Sequence, residues 1–162
     1  MSLVSKKARY GLHGLAYLAA FSDGRPVPFE SILAYLQAYS GRLALSPGYI
    51  AKIFQQAKRA GLTQSAPGPH GGYWLARAAD EIRLFDVIEA FDGRVVSACC
   101  LLSTGGCEQQ ATCGVRDMIH EAELRFWSCF EHETLASMAE RMNFPDLPPP
   151  ERRPHHVAGT TH

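Results

Sequence analysis

The sequence lacks any long apolar run. Its longest uninterrupted stretch, Leu15–Phe21, is far shorter than the roughly 20 residues a bilayer crossing needs, so no membrane association is expected. The opening residues MSLVSKKARYG place charge early and no long apolar segment follows. That is unlike a secretory signal, and the expected location is the cytoplasm. Net charge is missing too, because 16 Lys and Arg balance 16 Asp and Glu over 162 residues. There is no internal repeat. No acid–base pair, nucleophile–histidine set or phosphate loop stands out, so an enzyme is not expected. Disulfide-like cysteine spacing is also absent: Cys99, Cys100, Cys107, Cys113 and Cys129 are odd in number, and four fall within fifteen residues. A secreted disulfide scaffold would spread them, whereas close spacing in a cytosolic chain points to metal or redox chemistry.

What is present suffices for one domain and its attachments, with an apolar fraction of 46% to supply a core. The neutral total hides an asymmetry. Up to Leu62 there are eight cations (Lys6, Lys7, Arg9, Arg25, Arg42, Lys52, Lys58, Arg59) against two acids, and the remainder holds eight cations against fourteen acids. A basic first half followed by an acidic second half suggests that only the first meets phosphate.

The apolar spacing predicts a helix over Ser5–Phe21 with Leu12, Leu15, Ala16 and Ala19 inward, broken by Asp23-Gly24-Arg25-Pro26. A second helix is expected from Phe29 or Glu30 to about Tyr39, with Ile32, Leu33 and Leu36 inward. Ser46-Pro47 reads as a serine N-cap followed by proline at the first helical position. That third helix carries Tyr49, Ile50, Ile53, Phe54 and Ala57 and stops at Gly61, a left-handed cap. Two short strands, Leu62–Ala66 and Gly72–Ala76, flank the turn Pro67-Gly68-Pro69-His70-Gly71. Helix, turn, helix and hairpin in this order are a winged helix-turn-helix, whose second helix of the pair enters a major groove while the hairpin reaches the neighbouring backbone or minor groove.

A short helix, Leu84–Phe91, closes at Gly93, and the cysteine loop runs from Ser97 to Cys113. The longest amphipathic stretch follows, from Val115 to about Phe130, with Val115, Met118, Ile119, Ala122, Phe126 and Phe130 as its apolar stripe. Against the reading of an intrachain core helix, the stripe is expected to pack on its twin in a dimer. Thr134 caps a last short helix to about Met142, and a disordered tail rich in proline, arginine and histidine follows Pro145. The expected fold is mainly α with a small β-hairpin wing. It divides into a winged helix-turn-helix over 1–95, a cluster-binding cysteine loop over 96–114, a dimerisation helix with the short terminal helix over 115–144, and a tail over 145–162.

The stretches KKARYGLHGLAYLA, LSPGYIAKIFQQAKRAGL, GPHGGYWLAR and EIRLFDVIEAFDG, with a cysteine loop downstream, together resemble the Rrf-two family of bacterial regulators, which includes the IscR, NsrR and RirA types. The resemblance covers roughly Leu3 to Met142. It implies a homodimeric winged-helix protein that binds a palindromic operator in double-stranded DNA and senses through an iron–sulfur cluster, 2Fe–2S or 4Fe–4S. Family recognition-helix positions fall on Gly48, Tyr49, Ala51 and Lys52, and wing positions on Pro67 and Gly68. The chain departs from the family at several points. Some relatives have a carboxylate at Ala51 and often an arginine at Pro67, and about half a dozen residues are inserted around Tyr39–Leu45.

Affinity for DNA comes mainly from neutralising phosphates, so Lys6, Lys7, Arg9, Lys58 and Arg59 are positioning candidates. Base reading falls to Tyr49 and Lys52, with Gln55 or Gln56 further along. Gly68, Gly71 and Gly72 serve the tight turn, and His70 stands at the wing tip. His13 reads as a helix-packing residue.

Cluster iron wants thiolates converging from a flexible loop. Cys107 and Cys113, five residues apart in between, have the family spacing; the first ligand is Cys99, as in the RirA type, with Cys100 as the alternative. The resemblance leaves the fourth ligand open. The IscR-type histidine is replaced by Arg116 and the NsrR-type aspartate by Arg9, leaving Asp117, His120, Glu121, the spare cysteine or a small molecule. Cys129 reads as a small buried hydrophobe. The alternatives to a cluster-sensing regulator are a cluster-free winged-helix regulator, a zinc-binding one with three cysteines and His120, and an iron–sulfur redox protein.

Overall fold

Two glycines inside the first helix decide how the core is assembled. The computed structural model describes residues 4–22, 24–40, 45–93, 113–142 and 144. Helix α1, Lys6–Phe21, starts at Ser5, whose hydroxyl accepts from the Ala8 amide at 3.1 Å. A glycine costs a helix interior about 1 kcal/mol relative to alanine, yet α1 holds Gly11 and Gly14. A Cβ on Gly11 would lie 2.1 Å from the Phe91 ring, and one on Gly14 would lie 2.8 Å from Phe54. Both are footprints of aromatic rings from other helices.

Helix α2, Phe29–Tyr39, buries Ile32, Tyr35 and Leu36 against α1, with Leu33 half-buried. Helix α3, Pro47–Arg59, begins after Ser46 with proline in its first turn, as expected, but the Ser46 side chain makes no capping hydrogen bond. Here the Ser46 backbone carbonyl, accepting from the amides of Tyr49 and Ile50, starts the helix. The other end matches the sequence closely. Gly61 at φ +71° lets the Leu62 amide reach the Ala57 carbonyl and the Gly61 amide reach that of Lys58, both at 3.0 Å, which is a Schellman cap.

Strands β1 (Thr63–Ala66) and β2 (Gly72–Leu75) pair antiparallel, each a residue shorter than expected, with Gln64 opposite Trp74. Val27 bridges to Tyr73 through two backbone hydrogen bonds of 2.8 and 2.9 Å, adding a third short edge. The close approach requires Gly72, where a Cβ would lie 2.1 Å from the Val27 carbonyl oxygen. A 3-10 turn, Ala79–Glu81, leads to helix α4, Leu84–Asp92, which ends at Gly93 with φ +81°. Helix α5 is Gly114–Ser128 and helix α6 is Leu135–Arg141. A reciprocal capping box between Thr134 and Ser137 starts α6, and Leu135 enters the core fully buried. The core is one cluster built from α1–α4 and α6, with Leu15, Leu18, Ile32, Ile50, Ile53, Phe54 and Ile88 among its sealed residues. The tail expected over 145–162 lies outside the described residues, as do residues 94–112 and 41–44 of the insertion.

Helix α5 splits the expected stripe: Ile119, Phe126 and Phe130 are half-buried, and the rest of it is exposed in the single chain. Val115 and Met118 are 56% and 72% exposed, and Ala122 is exposed as well. The side covered by the rest of the chain is rotated around the helix. It carries half-buried Arg116, Ile119, Phe126 and Trp127, and Glu123 at 6% exposure is the one residue of α5 that is buried. The Trp127 ring meets Phe85 of α4 edge-on at 5.7 Å.

Candidate nucleic-acid interface

Helix α3 separates its faces cleanly. Ile50, Ile53, Phe54 and Ala57 point into the core, while Gly48, Tyr49, Lys52, Gln55 and Arg59 are exposed. Lys52 and Arg59 make no ion pair among the described residues. Lys58 behaves differently, donating to the Ser65 hydroxyl of β1 at 2.9 Å and tying the end of α3 to the wing. The wing turn closes through the Gly71 amide and the Gly68 carbonyl at 2.9 Å, leaving Gly68 and His70 exposed. Lys58, Ser65, Pro67 and Gly68 line an open cleft of about 490 Å³, to which Glu30 also contributes.

The start of α1 lies beside the start of α3. Tyr10 and Tyr49 meet edge-to-face at 6.2 Å, and the Lys6 ammonium lies 5.8 Å from the Tyr10 ring centre. Lys6 and Arg9 are exposed there and Lys7 is half-buried. The structure therefore brings Lys6, Tyr49 and Lys52 to one region, joined by Tyr10, which sequence reasoning missed. The available signal was its place one helical turn after Lys6, which puts both on one face. Gln56 is a correction: its amide donates to the Ala90 carbonyl of α4 at 2.7 Å, so this side chain faces the protein and is withdrawn from base reading. Gln55 remains exposed.

His13 packs between helices as the sequence suggested. Its Nδ1 lies 3.3 Å from the Tyr35 hydroxyl and its ring 4.2 Å from that of Tyr39. Burial lowers the His13 pKa, while burial first and the neighbouring Tyr39 and Tyr17 next raise that of Tyr35.

Of the candidate cluster ligands only Cys113 is described; Cys99, Cys100 and Cys107 lie outside the described residues. Cys113 is half-buried at the N-cap of α5, makes no capping hydrogen bond there, and offers a sulfur donor. That donor chemistry fits metal ligation. Among the candidates for a further ligand, Asp117, His120 and Glu121 are exposed; Glu121 pairs with Arg125 at 2.6 Å and Asp117 lies 3.9 Å from Arg116. No three His, Cys, Asp or Glu side chains converge as a metal site among the described residues. Cys129 is a second correction: it is exposed, with its thiol donating to the Arg125 carbonyl at 3.2 Å. No helix among the described residues is long and apolar enough to cross a membrane.

A helix-turn-helix followed by a hairpin wing, with exposed cations on the second helix of the pair, defines the class: a winged-helix protein built like a nucleic-acid reader. The profile of the Rrf2 (Rrf-two) family, described as an iron-dependent transcriptional regulator, matches residues 4–141, and the chain belongs to that family. It is 27% identical over 144 residues to the HTH-type transcriptional regulator IscR of Escherichia coli (strain K12 / DH10B), covering 89% of this chain and 84% of that one. The structure is similar to T. potens IscR, with a TM-score of 0.62 at 25% identity over 85% of each chain. It is equally similar to CymR, the global cysteine regulator of B. subtilis, with a TM-score of 0.61 at 25% identity over 88% of this chain and 100% of that one.

Proposed function

We propose that this chain is a DNA-binding transcription regulator that works as a homodimer and whose grip on a palindromic operator responds to an iron–sulfur cluster. The observation that carries the DNA reading is the outward face of α3, where Lys52 and Arg59 stand exposed without ion pairs among the described residues, flanked by Lys6, Arg9 and the wing. Tyr49 and Lys52 face bases, and Lys6, Lys7, Arg9, Lys58 and Arg59 face phosphates. Gly48 lets the backbone approach the groove, and Gly68 with His70 reaches the flanking backbone. The exposed Val115–Met118–Ala122 side of α5 supports pairing with a second copy.

Cys107, Cys113 and either Cys99 or Cys100 would hold the cluster, which supplies an iron centre sensitive to iron supply, oxidants or nitric oxide. In the sequence these cysteines lie between α4 and α5, so their state can shift the population of DNA-competent dimers. The likeness to CymR favours a second reading, a regulator of the same fold without a cluster. Absorption spectra separate the two. Protein purified without oxygen is expected to be brown with broad visible bands, and Cys113→Ser to lose them. A colourless wild-type protein contradicts the cluster reading, and zinc in equal amount to protein would replace it with a zinc site.

A further inference from the structure

Three consecutive residues at the end of α4 each hold a different part of the DNA-facing pair α1 and α3. The Ala90 carbonyl accepts from the Gln56 side chain of α3 at 2.7 Å. The Phe91 ring, 3% exposed, fills the space that Gly11 leaves on α1. The Asp92 carboxylate accepts from the Ser5 amide at 2.8 Å and from the Ser5 hydroxyl. Ser5 in turn caps α1 through the Ala8 amide, and Lys6 and Arg9 follow within the next turn.

Helix α1 is therefore fastened at its N-cap and nearly two turns further on, and α3 is fastened through a side chain on its third turn, all to one turn of α4. Asp92 is an exposed acid close to a face assigned to phosphate, where Coulomb repulsion alone would oppose binding. Its hydrogen bonds to Ser5 give it a use there. An anion at the N-terminus of α1 also meets the positive end of the helix dipole.

We infer that residues 90–92 set the placement of α1 against α3 for DNA, with Asp92 and Gln56 as positioning residues that touch no base or phosphate. This rests on the DNA-binding reading above. The sign of one substitution separates positioning from electrostatics. Asp92→Ala removes a negative charge, so charge alone makes DNA binding tighter. Positioning makes specific binding weaker, by about tenfold for the loss of a charge-assisted pair of hydrogen bonds. The salt slope should also fall by about one for each phosphate that Lys6 or Arg9 no longer neutralises.

The experiment first selects duplexes from a random library with the full wild-type chain, then titrates the enriched duplex with each variant at several salt concentrations. Asp92→Asn, which still offers an acceptor to the Ser5 amide, should recover most of the affinity. Ser5→Ala combined with Asp92→Ala should bind no more weakly than the worse single variant. Should Asp92→Ala fail to fold, Asp92→Glu serves instead, since it keeps the charge and displaces the carboxylate; weakened binding supports positioning. Gln56→Met should lower the ratio of specific to nonspecific affinity. Wild-type or tighter binding by a folded Asp92→Ala or Asp92→Glu overturns the inference and leaves the DNA reading intact. A wild-type chain that enriches no sequence overturns both.

Discussion

Helices α3 and α5 are of similar length and amphipathic in sequence, yet the chain treats them in opposite ways. Helix α3 buries Ile50, Ile53, Phe54 and Ala57 and exposes cations; α5 buries an acid, Glu123, and exposes Val115 and Met118. The first helix is completed within its own chain. The second holds on at one end through Trp127 and leaves Val115 and Met118 in water, on the side proposed above for pairing with a second copy. On that proposal fold and assembly rest on separate residues, so each can be broken without the other.

The largest effect is expected on the α3 side. Phe54 is 1% exposed, sits in the notch of Gly14, and meets Tyr73 of the wing at 4.9 Å between ring centres. Phe54→Ala should destabilise the fold by about 3–5 kcal/mol, read by urea unfolding. A loss under about 1 kcal/mol would mean that the helix is not held as described. The matching change on α5, Met118→Glu, should leave the unfolding free energy of the isolated chain within about 0.5 kcal/mol. Light scattering should find that variant monomeric where the wild type is a dimer. A monomeric wild type, or an unaffected dimer, would break the contrast between the two helices.

Much of this contrast was legible in the sequence and some was not, for identifiable reasons. Local signals succeeded: Gly61 ends α3, Thr134 starts α6, and the hairpin falls around Gly68. Signals that depend on distant partners failed. Gln56 looked like an exposed groove-facing side chain because its acceptor, Ala90, is 34 residues away. Cys129 looked like a core residue because α5 is apolar at the right period. Periodicity gives the existence of a stripe, whereas how much of it the chain itself covers depends on what packs there; Ile119, Phe126 and Phe130 are half-buried while Val115, Met118 and Ala122 are exposed. Ser46 took the cap position without the cap bond. The wing's third edge, Val27 on Tyr73, pairs residues far apart and has no local sequence signal.

The smallest effect tests the packing behind the interface. Burial lowers the His13 pKa below its ordinary value of 6.5, so the unfolded chain binds the proton more readily than the folded one. Stability from this site is fully present above about pH 6.5, and it is lost as pH falls from there toward the lowered folded value. Wild-type thermal midpoints should therefore drop more between about pH 7 and pH 5 than those of His13→Gln. Equal drops would place His13 in solvent.

The central claim is that the exposed face of α3 reads DNA. It is tested most directly by titrating a duplex enriched from a random library with the wild type and with Lys52→Ala over a range of salt. An inverted repeat should be enriched, and wild-type affinity for it should fall steeply with salt. Lys52→Ala should lose about 1–3 kcal/mol on that repeat with preference relaxed at one position per half-site. Unchanged affinity and preference in the folded variant would contradict it.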